Sequence, residues 1–269
     1  MSGKIAVIGS GMMGSAIIKS LLKGNIDPTS LTAVDIDAEK LKEFKALGTK
    51  TDTDNLKAAK EADIIFVIVK PGDVAKVLNN IREEIKDKLV ISVAATVPLD
   101  YLRKNAPKSK IVRIMPNLCA MVQASYTVYC CTENLNAQDR ETLRGLLNMM
   151  GICEEIDEKY MDAITAVSGS GPGYMSIIIE ALTYAGLKVG LPRNIALNCA
   201  AQTVLGTGKL VVDLHEEPAH IRDMTTTPGG TTIEAIFQIE QSQIRSAMIR
   251  AIEEATKKSQ SIREKLNLQ

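Results

Sequence analysis

Several residue types are scarce in this chain, and each scarcity excludes a class of protein. Among 269 residues there is no Trp, and only three Phe and two His occur. So few aromatic side chains argue against a β-sandwich and favour closely packed helices rich in small and aliphatic residues. Lys plus Arg and Asp plus Glu both number 32, so the formal net charge is zero and no basic surface for nucleic acid is indicated.

Export, membrane insertion and metal binding also lack their usual sequence signals. The N-terminal apolar stretch is short and runs directly into glycines, unlike a signal peptide, and no run of about 18 apolar residues predicts a membrane span. The five cysteines form no Cys-x-x-Cys pair, which favours free thiols in a reducing compartment. His215 and His220 are five residues apart with no obvious third ligand, so no metal site is predicted. We therefore expect a cytoplasmic protein that binds neither membranes nor nucleic acid.

The first 157 residues alternate between strand and helix signals. The predicted strands are residues 4–8, 31–35, 63–69, 89–94, 111–115, 125–131 and 153–156. The predicted helices between them are residues 14–24, 38–47, 74–85 and 137–150. This alternation predicts an α/β domain of the Rossmann type, with a doubly wound parallel sheet and right-handed crossovers.

After residue 157 the strand signals end and helical spacing takes over. The predicted helices are residues 174–189, about 192–213, 219–224 and about 232–265. The second of these carries small residues on one side, which permit close approach of another backbone: Ala196, Ala200, Gly206 and Gly208. The sequence therefore predicts two domains, residues 1–157 and 158–269, the second of them helical and joining copies of the chain into an oligomer. A compact monomeric bundle is the alternative.

A G-x-G-x-x-G pattern joins the first predicted strand to the first predicted helix. Its first glycine permits a tight turn, its second lets the backbone approach a pyrophosphate, and its third lets the helix pack closely on the strand. The helix N-terminus then offers free N–H groups and a positive dipole end to the phosphates. The cofactor contacts predicted here are Ile8, Gly9, Ser10, Gly11, Met12, Met13 and Gly14. A glycine-rich turn without a ligand is the alternative.

Asp35 ends the second predicted strand, where a carboxylate can accept hydrogen bonds from a ribose 2′-hydroxyl and repel a 2′-phosphate. Residues 35–39 contain no Arg or Lys, so we expect NADH to be favoured over NADPH; a solvated helix cap is the alternative role for Asp35. The segments that follow the later strands should also border the cofactor. Their predicted contacts are Val69, Lys70, Pro71, Ala94, Ala95 and Asn117. Lys70 is also a candidate proton donor, with an orienting or surface lysine as the alternative.

The segment Thr225–Thr232 (TTTPGGTT) precedes the last predicted helix. Its two glycines free the backbone to form a concave nest of N–H groups, and the helix N-terminus adds positive potential. The threonine hydroxyls can donate or accept hydrogen bonds beside it. The segment is therefore suited to binding a small carboxylate, although the local pattern fits a plain helix cap equally well.

Four motifs along the chain resemble the pyrroline-5-carboxylate reductase family. They are residues 69–71 (VKP), 168–174 (SGSGPGY), 190–193 (GLPR) and 218–235 (PAHIRDMTTTPGGTTIEA). The resemblance implies a Rossmann domain followed by a helical dimerisation domain, with dimers that commonly assemble into decamers. It also implies NAD(P)H-dependent reduction of L-1-pyrroline-5-carboxylate to L-proline.

The same resemblance implies roles for individual residues. The substrate carboxylate is expected on the backbone of Gly230, Thr231 and Thr232, with Thr227 nearby. The hydroxyl of Thr232 is expected to face the imine nitrogen, as a catalytic group. Two further positions match family positions, Glu158 near the substrate and Asn55 near the cofactor adenosine.

Several positions depart from the family's usual pattern. Met12 stands where Asn or Gln is common, Thr96 replaces a frequent Gly, and Gly173 replaces Ala. Leu118-Cys119 replaces Thr-Pro in the segment expected near the nicotinamide. None of these changes removes the phosphate-binding or carboxylate-binding segment. Two alternatives stay open: a paralogue that reduces a related cyclic imino acid, such as a six-membered ring, and a dinucleotide-binding interaction protein with little catalysis.

Overall fold

The computed structural model describes residues 3–267, with side chains as far as residue 265. The chain divides into two compact units, Met1–Ser170 with Ala255–Gln269 and Gly171–Glu254. The sequence predicts a dinucleotide-binding domain at 1–157 and a helical domain at 158–269. The two compact units are defined by contacts within the chain and not by function, so the predicted domains stay a prediction.

An eight-stranded sheet forms the centre of the first unit. The strands are β1 (Ile5–Ile8), β2 (Leu31–Val34), β3 (Lys50–Asp52), β4 (Ile64–Val67), β5 (Leu89–Ser92), β6 (Lys110–Met115), β7 (Ser125–Cys131) and β8 (Gly151–Glu155). Their spatial order is β3-β2-β1-β4-β5-β6-β7-β8. The order reverses between β1 and β4, which is the switch point where open α/β sheets bind ligands at the carboxyl ends of their strands.

Helices cover both faces of this sheet. They are α1 (Met12–Lys23), α2 (Lys42–Ala46), α3 (Asn55–Glu61), α4 (Val74–Ile81), α5 (Leu99–Asn105), α6 (Ala137–Asn148) and α7 (Met161–Ile164). One apolar cluster joins α1, α2 and α6 to the sheet, and a second joins α3, α4 and α5 to it. Every residue of β1, β4 and β5 is buried, as expected for parallel strands covered on both sides. The predicted α/β fold is confirmed.

The structure corrects the predicted strand and helix pattern at several places in this unit. β7 runs antiparallel to β6, because the nine residues between them are too few for a crossover helix. The prediction missed β3, α3 and α5, which are short and carry many polar residues. The helix predicted at residues 38–47 is a 3-10 turn, Ala38–Leu41, followed by α2.

Helices alone form the second unit. They are α8 (Gly171–Lys188), α9 (Arg193–Leu214), α10 (Pro218–Met224), α11 (Thr231–Gln241) and the first part of α12 (Ile244–Asn267). The prediction of one helix from about 232 to 265 was wrong, because the chain turns at Ser242 and Gln243. Gln243 has a left-handed backbone with φ +58°, which no continuous α-helix accommodates.

Part of the small-residue stripe on α9 packs inside this unit. A Cβ on Gly186 of α8 would lie 2.7 Å from the Ala196 Cβ, and Ala200 is also buried. Gly206 and Gly208 have no neighbouring atom where a Cβ would point. Close approach by a second copy therefore concerns only the C-terminal half of α9.

Large apolar side chains remain exposed across the second unit, among them Ile177, Leu205 and Phe237. By length and composition alone, α9 is a candidate membrane span, with 11% of its most apolar window buried. Exposed apolar area of this extent also marks surfaces that bind another protein. The expectation that no membrane is a partner therefore stays a prediction.

Candidate functional site

Two of the three motif glycines in the first β-turn-α unit are required by close backbone approach. Gly9 has φ +98°, and a Cβ on it would lie 2.2 Å from the Ile68 carbonyl oxygen. A Cβ on Gly14 would lie 1.9 Å from the Gly9 carbonyl oxygen. Any larger residue at either position would push β1, α1 and the segment after β4 apart. These glycines therefore hold the turn in the shape that the motif predicts.

The remaining motif glycine, Gly11, leaves room for a ligand. No atom lies within 4 Å of the position its Cβ would take. It also precedes α1, and no side chain caps this helix end. The first N–H groups of a helix lack partners within the helix and attract anions. Open space beside bare amides fits the pyrophosphate of a dinucleotide.

Asp35 braces this turn instead of acting as a solvated helix cap. Its side chain is 9% exposed. One carboxylate oxygen accepts the Ser10 N–H at 2.9 Å, and the other accepts the Asp37 N–H at 3.0 Å. The Lys40 ammonium lies 3.5 Å from the second oxygen. The sequence argument for NADH rested on residues 35–39, which contain no Arg or Lys, but the 3-10 turn Ala38–Leu41 brings Lys40 back to Asp35 and adds a positive charge there.

A cleft of about 690 Å³ opens at the switch point between β1 and β4. Seven predicted cofactor contacts line it: Ile8, Gly9, Gly11, Asp35, Asn55, Val69 and Lys70. The lining residues that the prediction missed are Ile36, Lys40, Ile68, Asp73, Lys76, Val77 and Asn80. Four of these lie on or beside α4 with helical spacing, so the predicted helix at 74–85 carried the signal that could have identified them. The size and lining of the cleft suit a nucleotide.

The other predicted cofactor contacts lie outside the lining of this cleft. Met12 is 74% exposed at the start of α1, and Met13 packs against the core. The buried Ser10 hydroxyl donates to the Val34 carbonyl. Pro71 begins the turn after Lys70, and Gly14 is buried under the glycine turn. Their contacts with a cofactor stay predictions.

Ala94 and Ala95 follow β5, where both pack against apolar clusters. Asn117 follows β6 and is 8% exposed. Its side-chain oxygen accepts the Cys119 N–H at 3.0 Å, and its amide donates to both the carbonyl and the hydroxyl of Ser168 at 3.1 Å. Ser168 lies in a π-helical turn, Thr165–Gly169, ahead of α8. The Asn117 side chain is thus used to fix the start of the SGSGPGY motif.

Glu158 makes an ion pair that the sequence prediction missed. One of its oxygens accepts the Arg113 guanidinium at 2.6 Å and the Leu99 N–H at 2.7 Å. Arg113 is 1% exposed within the otherwise apolar half of β6. A charged residue inside such a run (IVRIM) was the available signal. Beside this pair, burial and the Glu158 carboxylate raise the pKa of the Cys130 thiol to about 12, despite the opposing effect of Arg113.

In the second unit, the predicted carboxylate-binding segment forms a tight turn ahead of α11. The Gly230 N–H donates to the Thr227 carbonyl at 3.0 Å, and Gly229 has φ +68°. A Cβ on Gly230 would lie 2.4 Å from the Thr227 hydroxyl oxygen. No side chain caps α11, and Thr231 is exposed while Thr232 is half-buried. The bare N–H groups at this helix end suit a small carboxylate.

The two histidines and five cysteines take ordinary roles. His215 ends α9 with a left-handed backbone, and the His220 Nδ1 lies 2.7 Å from a Glu216 carboxylate oxygen. The cysteines are free thiols. Within residues 3–267, no group of three or more His, Cys, Asp or Glu side chains is placed to hold a metal ion.

Two family models together match most of the chain. The model for pyrroline-5-carboxylate reductase dimerisation matches residues 158–262. The model for NADP oxidoreductase, coenzyme F420-dependent, matches residues 4–96. The second match covers the glycine turn, Asp35 and all the residues that line the cleft.

Curated proteins and solved structures are similar over nearly the full length. The pyrroline-5-carboxylate reductase of Methanosarcina acetivorans is 36% identical over 97% of this chain and 98% of the relative. That of Escherichia coli is 36% identical over 97% of this chain and 99% of the relative. The crystal structure of Plasmodium falciparum pyrroline carboxylate reductase with NADP bound has a TM-score of 0.88 and 31% identity, covering 97% of this chain and 98% of the other.

Proposed function

The chain belongs to the pyrroline-5-carboxylate reductase family, and from that premise we propose that it reduces L-1-pyrroline-5-carboxylate to L-proline with NAD(P)H. One observation carries the proposal. A single chain combines a dinucleotide-sized cleft beside one bare helix N-terminus with a second bare helix N-terminus in a Thr-Pro-Gly-Gly-Thr-Thr turn. These are the two anion receptors that a reductase of a small imino acid needs.

The reaction needs orientation more than acid–base catalysis. When bound, the reduced nicotinamide supplies a hydride for C5 of the imine, and the nitrogen gains a proton. The amides of Thr231 and Thr232 hold the carboxylate, while the Thr232 hydroxyl faces the imine nitrogen. Lys70, exposed at the cleft, either contacts a phosphate or donates the proton. Holding both reactants in a fixed orientation can supply much of the rate.

The cofactor that the chain prefers is NADH. The Asp35 carboxylate at the end of β2 suits a ribose 2′-hydroxyl and opposes a 2′-phosphate. Lys40, 3.5 Å away, weakens this discrimination because its ammonium attracts the phosphate. Comparing kcat/KM for the two cofactors tests the preference, and a strong preference for NADPH would contradict it.

The active form is a cytoplasmic homodimer built through the second unit, with further assembly to a decamer. The exposed apolar side chains of α8, α9 and α11 support this, because a monomer would leave them in water. The dimerisation family model covers the same helices. Light scattering measures the assembly directly. Neither a membrane, a nucleic acid nor a metal ion takes part.

The assay that tests the activity is nicotinamide oxidation with pyrroline-5-carboxylate, run beside the six-membered analogue. We expect turnover with the five-membered ring at the higher kcat/KM. Faster turnover of the larger ring would identify a paralogue, for which the Leu118-Cys119 departure is the sequence reason. Binding of NADH without turnover of either ring would instead identify a dinucleotide-binding interaction protein.

A further inference from the structure

The buried guanidinium group of Arg113 has its charge compensated by one carboxylate, that of Glu158. Arg113 lies on β6 and is 1% exposed, and its Nη1 donates to Glu158 at 2.6 Å. Its Nε and Nη2 atoms are buried and find no hydrogen-bond partner among residues 3–265. Removing one partner of a buried ion pair leaves an uncompensated charge, which is far more costly than the pair itself. Glu158 is therefore held firmly in this position.

The same Glu158 oxygen also caps a helix from a distance. It accepts the N–H of Leu99, the first residue of α5, at 2.7 Å. Pro98 at the N-cap position supplies no side-chain cap of its own. A carboxylate at a helix N-terminus satisfies a free N–H and interacts favourably with the helix dipole. The ion pair thus fixes where the segment between β5 and α5 ends.

That segment contains a strained residue. Thr96 has φ +68°, a left-handed backbone that is unfavourable for a β-branched side chain. Its hydroxyl is buried and finds no partner among the described residues. The Val97 N–H closes the turn on the Ala94 carbonyl with a long 3.4 Å hydrogen bond. Backbone strain of this kind persists only where the surroundings enforce it.

We propose that Glu158 is a positioning residue, which through Arg113 and the Leu99 N–H holds residues 94–98 in their strained conformation. The inference rests on the proposed function in one respect: Ala94 and Ala95 of this segment are expected to border the bound cofactor. Glu158 would then affect hydride transfer through this segment rather than by touching the substrate. A glycine at position 96 would need no such restraint, because glycine adopts a positive φ without steric cost.

A double-mutant cycle between Glu158→Ala and Thr96→Gly tests the proposal. We expect Glu158→Ala to lower kcat about tenfold or more, with the dissociation constant for NADH little changed because the cleft is intact. Thr96→Gly should restore kcat about threefold or more in that background, a larger gain than it gives in the enzyme that retains Glu158. In urea unfolding of the same four proteins, Thr96→Gly should stabilise the Glu158→Ala protein less than the unaltered one, because loss of Glu158 already lets the strained turn relax. Glu155→Ala is the matched control, since Glu155 pairs with Arg140 at the surface.

Two outcomes would overturn the positioning role. One is additivity, in which Thr96→Gly has the same effect with and without Glu158. The other is a rise in KM for the imine with kcat unchanged, which would place Glu158 in contact with the substrate. Should Glu158→Ala fail to fold, Glu158→Gln combined with Arg113→Met removes both charges, and the cycle with Thr96→Gly is repeated on that pair. The urea unfolding measurement does not require enzymatic turnover. An inactive protein would therefore contradict the proposed function, while the coupling between positions 158 and 96 could still be measured.

Discussion

Replacing Asp35 by Asn should reduce the discrimination against NADPH. The change keeps the size of the side chain and removes one negative charge at the end of β2. A carboxylate and a phosphate about 5 Å apart repel by about 1–3 kcal/mol per unit charge at effective dielectric constants between those of water and a protein surface. The Lys40 ammonium, 3.5 Å from Asp35, offsets part of this. We therefore take the lower end, about 1 kcal/mol, or about fivefold in favour of NADPH.

A second effect of the same substitution acts on NADH. Asp35 accepts two backbone N–H groups, from Ser10 and Asp37, whereas the NH₂ group of Asn would face one of them. Loss of one such hydrogen bond costs about 1 kcal/mol and loosens the glycine turn. The ribose 2′-hydroxyl also loses a charged acceptor. The looser turn affects both cofactors alike, so the lost charge and the weaker ribose contact together predict that the ratio of kcat/KM for NADPH over NADH rises by about ten- to fiftyfold.

The assay measures kcat/KM for both cofactors at saturating imine, at low and at high salt. Salt should shrink the charge contribution only slightly, because the Asp35 side chain is 9% exposed and buried charges are screened much less than exposed ones. Asp52→Asn is the matched control, since Asp52 lies on the neighbouring strand β3 and pairs with Lys57 outside the cleft. A ratio that stays within about twofold of the unaltered enzyme would refute the reasoning about Asp35.

Three further predictions follow from the structure. Thr232→Ala should lower kcat/KM about tenfold or more, and Thr232→Ser should recover most of it; equal rates for all three proteins would remove the hydroxyl from the mechanism. Gly14→Ala should abolish NADH binding in a fluorescence titration, because its Cβ would lie 1.9 Å from the Gly9 carbonyl oxygen, whereas Gly173→Ala, which meets no neighbour, should bind normally. The pKa of Cys130 is raised by burial to about 12 from 9.0, so its contribution to stability should be complete below pH 9 and decline from there towards pH 12; a Cys130→Ala variant with the same alkaline stability profile would contradict this.

The glycine turn and the central strands were predictable because their signals are local. The apolar runs of β4 (IIFV) and β5 (LVIS) fix buried parallel strands, and the spacing of Gly9, Gly11 and Gly14 fixes the turn that follows β1. These features depend on residues adjacent in the chain. The sequence alone therefore predicted the glycine turn that lines one side of the cleft.

Features that depend on distant residues or on backbone geometry were not predictable. The antiparallel direction of β7 could have been predicted from its short connection to β6, whereas the break before α12 depends on the left-handed backbone of Gln243. The pairing of Lys40 with Asp35 requires a 3-10 turn rather than the predicted helix. Arg113 and Glu158 are 45 residues apart, and no periodicity joins them.

Transfer of deuterium tests the central claim most directly. The chain is incubated with pyrroline-5-carboxylate and NADH carrying deuterium at C4 of the reduced nicotinamide, and the product is examined by mass spectrometry and NMR. The account predicts L-proline with one deuterium at C5 when the label is on the transferred face. Formation of no proline, or of proline without deuterium from either labelled face, would contradict it.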